Sequence, residues 1–246
     1  ISAISILTTI AILFTLLTET ITFFTRVPLS KFFLSGTWNP TGSSPEFGIW
    51  ALIIGTLKIT VIATIVAVPI GLGAAIYLNE YASDRSRRII KPILEILAGI
   101  PTIVFGFFAL TFVTPILRNL IPNLGEFNSI SPGIVVGIMI VPMITSMSED
   151  AMSSVPDKIR EGAFGLGATK FEVATKVVLP AATSGVVASI VLGISRAIGE
   201  TMIVSLAAGS SPTSSLSLTS SIQTMTGYIV EIATGDAAFG SDIYYS

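Results

Sequence analysis

Long apolar stretches separated by short intervals of charge, proline, glycine and serine set the plan of this chain. Ile1 to about Phe24 is apolar with interspersed threonines. That length crosses a hydrocarbon core of about 30 Å at about 1.5 Å per residue. Its one acid, Glu19, falls near the end of the stretch, at interfacial depth. Residues 25–50 hold Pro28, Gly36, Pro40, Gly42 and Pro45 and predict an exposed loop, with Trp38 and Trp50 at the membrane boundary. A second span is predicted from about Ala51 to Tyr81, where Lys58 is the only charge for most of the length. Pro69, Gly71 and Gly73 predict a kink or locally irregular backbone there. The basic turn Ser83-Asp84-Arg85-Ser86-Arg87-Arg88 follows. The third apolar stretch, Ile89 to about Leu120, is interrupted by Gly99-Ile100-Pro101, which predicts an interfacial or tilted helix up to Gly99 and then the span proper. Residues 121–131 read as a loop, about Pro132 to Met152 as a fourth span containing Pro142, and about Gly185 to Ala208 as a fifth. The tail 209–246 is rich in serine, threonine and glycine, with a candidate amphipathic helix from Ser217 to Thr234.

Between the fourth and fifth spans lies the longest charge-bearing interval, residues 156–184, PDKIREGAFGLGATKFEVATKVVLPAATS. Its pattern predicts a helix–turn–helix laid on a membrane surface. Ile159, Ala163, Leu166 and Phe171 form one apolar side, while Lys158, Arg160, Glu161, Lys170 and Glu172 line the other. Gly165 and Gly167 permit a tight turn or the close approach of another backbone. Two readings fit this pattern: a docking element through which a partner moves the neighbouring spans, or a solvated loop capped by amphipathic turns.

Composition turns the apolar stretches into a class. The 246 residues are 51% hydrophobic and 11% charged, and the mean hydropathy is +0.85, against about 25% charged residues in soluble domains. The chain is therefore expected to be an all-α, polytopic transmembrane helical protein of one domain, 1–246, with outer loops 25–50, 121–131 and 209–246. The opening segment is too long for the apolar core of a signal peptide and lacks a small-residue cleavage site, so it reads as a span. Arg85, Arg87, Arg88 and Lys91, with Lys158, Arg160, Lys170 and Lys176, face only Arg26, Lys31 and Arg118 on the other side. Eight basic residues against three place the 83–91 turn and the 156–184 stretch in the cytoplasm. Five spans then put the N-terminus inside and Ser246 outside, and the start at Ile1 suggests that both ends continue beyond the sequence given.

Absences narrow the chemistry. There is no cysteine and no histidine, which excludes disulfides, thiol nucleophiles, the commonest metal ligand and the commonest general base. A net charge of −2 offers no basic patch for nucleic acid. Gly162 and Gly167 have the glycine spacing of a phosphate-binding loop, but Ala168 stands where the lysine must be. The chain is expected to be neither an enzyme nor a holder of a metal or cofactor.

The charged pair with the most to explain is Arg196 and Glu200, four apart on a predicted spanning helix and so on one face. Ionisable groups cost about 2.5–3.5 kcal/mol each near the bilayer centre on insertion scales, so they face a cavity or one another. Arg196 could attract a passing anion under the restraint of Glu200, or the two could form an ion pair that orders helix packing. Lys58 is expected to snorkel to the headgroups, Glu95 to pair with Arg88 or Lys91, and Glu149 and Asp150 to form a solvated acidic pair. Phe105, Phe107 and Phe108 are expected to serve packing alone.

Glu161-Gly162-Ala163, Gly167 and Val177-Val178-Leu179-Pro180 resemble the EAA loop of ABC importer permeases: Glu-Ala-Ala, three residues, Gly, nine residues, Ile, any residue, Leu-Pro. Gly162 and Val177 depart from it. The segments Val68 to Leu78, Lys91 to Pro101, Phe105 to Leu110 and Arg196 to Met202 resemble the PstC-type permease of phosphate importers, over about residues 50–205. This resemblance implies the type I importer permease (MetI-like) fold with a sixth span after the outer tail, in the cytoplasmic membrane of a prokaryote. It implies that Glu161, Gly162, Ala163, Gly167, Leu179 and Pro180 belong to a coupling helix seated in an ATPase subunit. It implies that Arg196 and Glu200 border the phosphate route. The implied partners are two ATPase subunits that use ATP and Mg, a PstA-like permease subunit and a periplasmic or lipid-anchored phosphate-binding protein. A permease for another oxyanion, such as molybdate, would share the coupling loop and differ in the fifth span. A non-transporting membrane assembly protein would explain the hydropathy but not the spacing of Glu161, Gly167 and Leu179-Pro180.

Overall fold

The computed structural model describes residues 2–42, 44–235 and 240–246; residues 1, 43 and 236–239, parts of the first predicted span, the loop and the tail, lie outside the described residues. Two helices, α1 (Ser2–Arg26) and α2 (Leu29–Leu34), precede a two-stranded antiparallel ribbon of β1 (Trp38–Asn39) and β2 (Glu46–Phe47), with Trp38 opposite Phe47. Then come α3 (Trp50–Ile76), which ends in a π turn at Tyr77–Tyr81, and α4 (Asp84–Gly99). Next are α5 (Thr102–Phe108), a π turn at Ala109–Val113, α6 (Thr114–Leu120) and α7 (Ile130–Ser153). The polar stretch holds α8 (Asp157–Gly165), α9 (Lys170–Glu172), a third π turn at Val173–Val178 and α10 (Leu179–Ala181). The chain closes with α11 (Thr183–Ile198), α12 (Met202–Ala207), α13 (Met225–Thr234) and α14 (Asp242–Tyr245).

Among the described residues, four helical runs are long and apolar enough to cross a membrane: Ile4–Arg26, Trp50–Tyr81, Thr102–Leu120 and Ile130–Ser153. Lys170–Ala181 and Thr183–Ile198, bent by 75°, make a fifth if counted together. The fourth span is the hub. In its most apolar window 67% of the residues are buried, against none in the first span. α7 packs along α3 and α11 because small residues let the backbones close: a β-carbon at Gly137 would lie 2.9 Å from the Ala63 carbonyl oxygen. Polar side chains tie the same surfaces, with the Thr145 hydroxyl donating to the Gly71 carbonyl at 3.2 Å and Ser148 meeting Ser189 at 2.6 Å.

The second span departs from expectation. Its helix runs unbroken through Pro69, Gly71 and Gly73, and the irregular backbone comes later, in the Tyr77–Tyr81 π turn. Trp38 is 3% exposed rather than interfacial, because its ring meets Phe47 and Tyr228 edge to face at 5.9 and 4.9 Å. Lys58 does not snorkel. Its ammonium donates to the carbonyls of Ser215 and, at 2.9 Å, Ser217, so it ties the tail across the end of α3. The predicted tail helix is shortened to Met225–Thr234. The preceding serines and threonines bond their own backbone instead, as where the Ser215 and Ser217 hydroxyls accept from N–H groups two residues on. That segment lies over the bundle end through Gly125 N–H to Thr219 (2.9 Å) and Ile222 N–H to Ala208 (3.0 Å).

Candidate functional site

The fifth span is not one helix. α11 stops at Ile198, Gly199 caps it, and α12 begins at Met202. Glu200 sits in this break, 8% exposed, and its carboxylate accepts the N–H groups of Met202 (3.1 Å) and Ile203 (3.3 Å). Its carbonyl accepts the Thr226 hydroxyl at 2.8 Å. The expected face shared by Arg196 and Glu200 is therefore lost. A buried carboxylate gains more from two backbone donors that have no helical acceptor than from a longer-range pair. Arg196, in the last turn of α11, is exposed and has no ion-pair or hydrogen-bond partner among the described residues. The two side chains still border one hollow, with Thr102, Gly199, Thr201 and Met202.

Arg196 also lines a second cavity, of about 320 Å³, whose walls include Leu78, Lys91, Glu95, Met139 and Glu149. It thus stands where two hollows meet, one beside the broken span and one between α4 and α7. Glu149 is not the solvated acid expected of it. Its side chain is 6% exposed and bonds the Lys91 ammonium at 2.8 Å, while Asp150 does face solvent. Lys91 is thereby taken by α7, and Glu95 is not among its ion pairs. The sequence carried a signal for this wall: Lys91, Glu95 and Ala98 repeat at helical spacing on α4 and all line the cavity.

The 156–184 stretch folds as paired short helices, as the pattern predicts, but its faces divide differently. Ala163, Ala168 and Leu179 pack inward on a cluster that includes Met152, Val173 and Val178. Leu166 is 92% and Phe171 67% exposed, so the four apolar residues do not share one side. Glu161, Gly162 and Pro180 are exposed, and Gly167 makes the turn between α8 and α9 at φ +87°, a conformation costly for residues with a β-carbon. Thr169 and Glu172 form a reciprocal cap at the start of α9. The Thr169 N–H first, and then Lys176, hold the Glu172 carboxyl down to about 2.

Arg160, placed by the pattern on the polar side, turns inward and knots three elements together. It donates to the carbonyls of Met152 (2.7 Å) and Val155 (2.6 Å) at the end of α7, to Asp157 (2.9 Å), and to Asn79 and Glu80 (both 3.2 Å) in the π turn after α3. Arg87, in the first turn of α4, reaches the Leu78 and Asn79 carbonyls of the same turn at 2.9 and 3.0 Å. A π turn carries backbone acceptors out of helical register; Arg87 takes up two of them, while Arg160 takes the Asn79 and Glu80 side-chain oxygens of the same turn.

A family model described as the binding-protein-dependent transport system inner membrane component matches residues 67–240. The probable ABC transporter permease protein YqgH of Bacillus subtilis is 36% identical over 86% of this chain and 68% of its own length. The phosphate transport system permease protein PstC of Haemophilus influenzae is 37% identical over 74% of this chain and 63% of its own length. That of Pasteurella multocida is 38% identical over 73% and 61%. The chain thus spans 61 to 68% of the length of these relatives. A solved chain of the MetNI methionine ABC transporter, in inward-facing conformations, superimposes with a TM-score of 0.48 at 21% identity over 62% of this chain and 68% of that chain.

Proposed function

From the premise that this chain belongs to the family of binding-protein-dependent transport system inner membrane components, we propose that it is one permease subunit of an ATP-driven importer of inorganic phosphate. The observation that carries this reading is the Arg196 guanidinium, without a partner among the described residues, at the junction of the two hollows. A guanidinium has five N–H donors in a planar fork that suits a tetrahedral oxyanion, and left without a carboxylate it offers them to whatever enters. The name of the similar PstC proteins points to phosphate among the oxyanions. Glu200 serves the route by holding the break beside Arg196 open, not by restraining the guanidinium.

Coupling is read from the 156–184 stretch. Exposed Leu166 and Phe171 give an ATPase subunit an apolar purchase on the cytoplasmic side. Arg160 fastens α8 to α7 and to the end of α3, so a push on this surface reaches the hub of the bundle. ATP and Mg act in the ATPase subunits, whose approach would open the route alternately to the two sides. A PstA-like subunit and a phosphate-binding protein complete the machine.

The test is ATP-dependent uptake of labelled phosphate into vesicles holding the assembled complex. Phosphate uptake that resists excess molybdate supports the reading. Uptake of molybdate alone would make the protein a permease for another oxyanion, and uptake of neither would leave the assembly-protein reading. Deleting residues 157–172 is expected to release the ATPase on purification; retention would refute the coupling surface.

A further inference from the structure

The cavity beyond Arg196 holds a second cation that the route described above leaves unused. Lys91 lines it, remains 45% exposed, and bonds Glu149 at 2.8 Å. An ammonium carries three donors, and among the described residues no acceptor other than Glu149 holds Lys91. Glu149 is the opposite case: 6% exposed, with Lys91 its one ion-pair partner among the described residues. The pair joins an exposed ammonium with N–H donors to spare to a buried carboxylate.

We propose that Lys91 is a second contact for the transported anion, masked by Glu149 until the anion arrives. This rests on the reading that the Arg196 cavity is the anion route. Two cations, Arg196 and Lys91, and two carboxylates, Glu95 and Glu149, line the same space, so the formal charges of its lining balance. An anion leaving Arg196 is drawn to Lys91 and loosens its bond to Glu149. The Glu149 carboxylate, nearly buried, is then short of the one ion-pair partner it has among the described residues, which is uphill. Return of Lys91 to Glu149 expels the anion. A site of this kind binds well enough to accept the anion and weakly enough to release it, as conduction through successive sites requires.

The placement of α4 supplies the link to the coupling stretch. Arg87 pins the start of α4 to the Tyr77–Tyr81 turn, and Arg160 pins α8 to the same turn through Asn79 and Glu80. A displacement of α8 therefore arrives at the helix that carries Lys91.

Concentration-dependent phosphate uptake by the assembled complex in vesicles separates this role from a structural one. Lys91→Gln is expected to raise the half-saturating phosphate concentration by about tenfold, and Lys91→Arg to stay near the native value. Glu149→Gln unmasks Lys91, so the half-saturating concentration falls and the maximal rate falls with it as release slows. The deciding variant is Lys91→Gln with Glu149→Gln, in which no buried charge is left unpaired. If Lys91 only braced α4 against α7, this double variant would regain native half-saturation, and that result overturns the proposal. Retention of the weakened value, with a native melting temperature, supports it. The double variant also decides if Lys91→Gln alone fails to assemble. Failure of the pathway reading would show separately, as native uptake in Arg196→Gln.

Discussion

Two arginines some thirty-six positions apart, Arg160 and Arg196, divide the molecule into a part that is tied and a part that is open. Around Arg160 every direction is taken: two carbonyls at the end of α7, two carboxylates and an amide oxygen, with the side chain 14% exposed. Around Arg196 none is among the described residues, although its helix is as regular up to Ile198 as α8 is up to Gly165. Saturated donors make a guanidinium a structural fastener. Unsaturated donors facing a cavity make it a recognition group, because a planar guanidinium whose N–H groups meet no protein acceptor can offer them to an oxyanion as charge-assisted hydrogen bonds. The difference is one of environment: Arg160 sits in the polar stretch 156–184 against the ends of α7 and α3, and Arg196 in the last turn of α11 beside the break in the fifth span.

The comparison breaks most visibly at its tied end. Arg160→Ala leaves Glu80, whose side chain is 8% exposed, without its cation, and should destabilise the chain by about 3–5 kcal/mol, read as a fall in melting temperature in detergent. Arg160→Lys keeps the charge but not the fork and should recover only part of it. An Arg160→Ala protein that melts like the native one would remove the knot from the account. Arg196→Gln in the same assay should stay within about 0.5 kcal/mol, because it breaks no bond.

Lys58 provides an intermediate case, a cation spent on two carbonyls at the opposite end of the bundle. Lys58→Met should cost about 1.5–3 kcal/mol and expose residues 210–224 to protease; unchanged cleavage would mean the tail is held by other bonds. The smallest effects fall on two glycines of the coupling stretch and have opposite signs. Gly167→Ala forces a side chain into φ +87° and should cost about 1–2 kcal/mol. Gly162→Ala places a β-carbon in open space inside α8 and should stabilise by about 0.5–1 kcal/mol. Melting curves of the pair check both, and equal shifts would contradict the assigned geometry.

The spans were legible because apolar length alone decides them: α3 and α7 fall close to where the pattern puts them. The helix α4, which is no span, ends at Gly99 as expected but begins at Asp84, inside the expected basic turn, because Ser83 caps it. The paired short helices of residues 156–184 were legible too, from their charges and the Gly167 turn. The break at 199–201 was not. No proline marks it, and what opens the helix is the Glu200 carboxylate capping α12 and the Thr226 hydroxyl on its carbonyl, a partner 26 residues away. Lys58 was misread for the same reason, since its acceptors lie 157 and 159 positions along the chain. Arg160 was placed on the polar side by helical periodicity, Glu149 in solvent from its position at the end of the fourth span, and Lys91 in the basic turn as a candidate partner of Glu95. The π turn that gives Arg160 two of its acceptors has no sequence signature.

The central claim is that Arg196 is open because an anion passes it. Uptake of labelled phosphate by vesicles holding the complex with Arg196→Gln tests it most directly. The account predicts uptake reduced at least about tenfold, with the ATPase still bound and the melting temperature unchanged. Native uptake by that variant would contradict it.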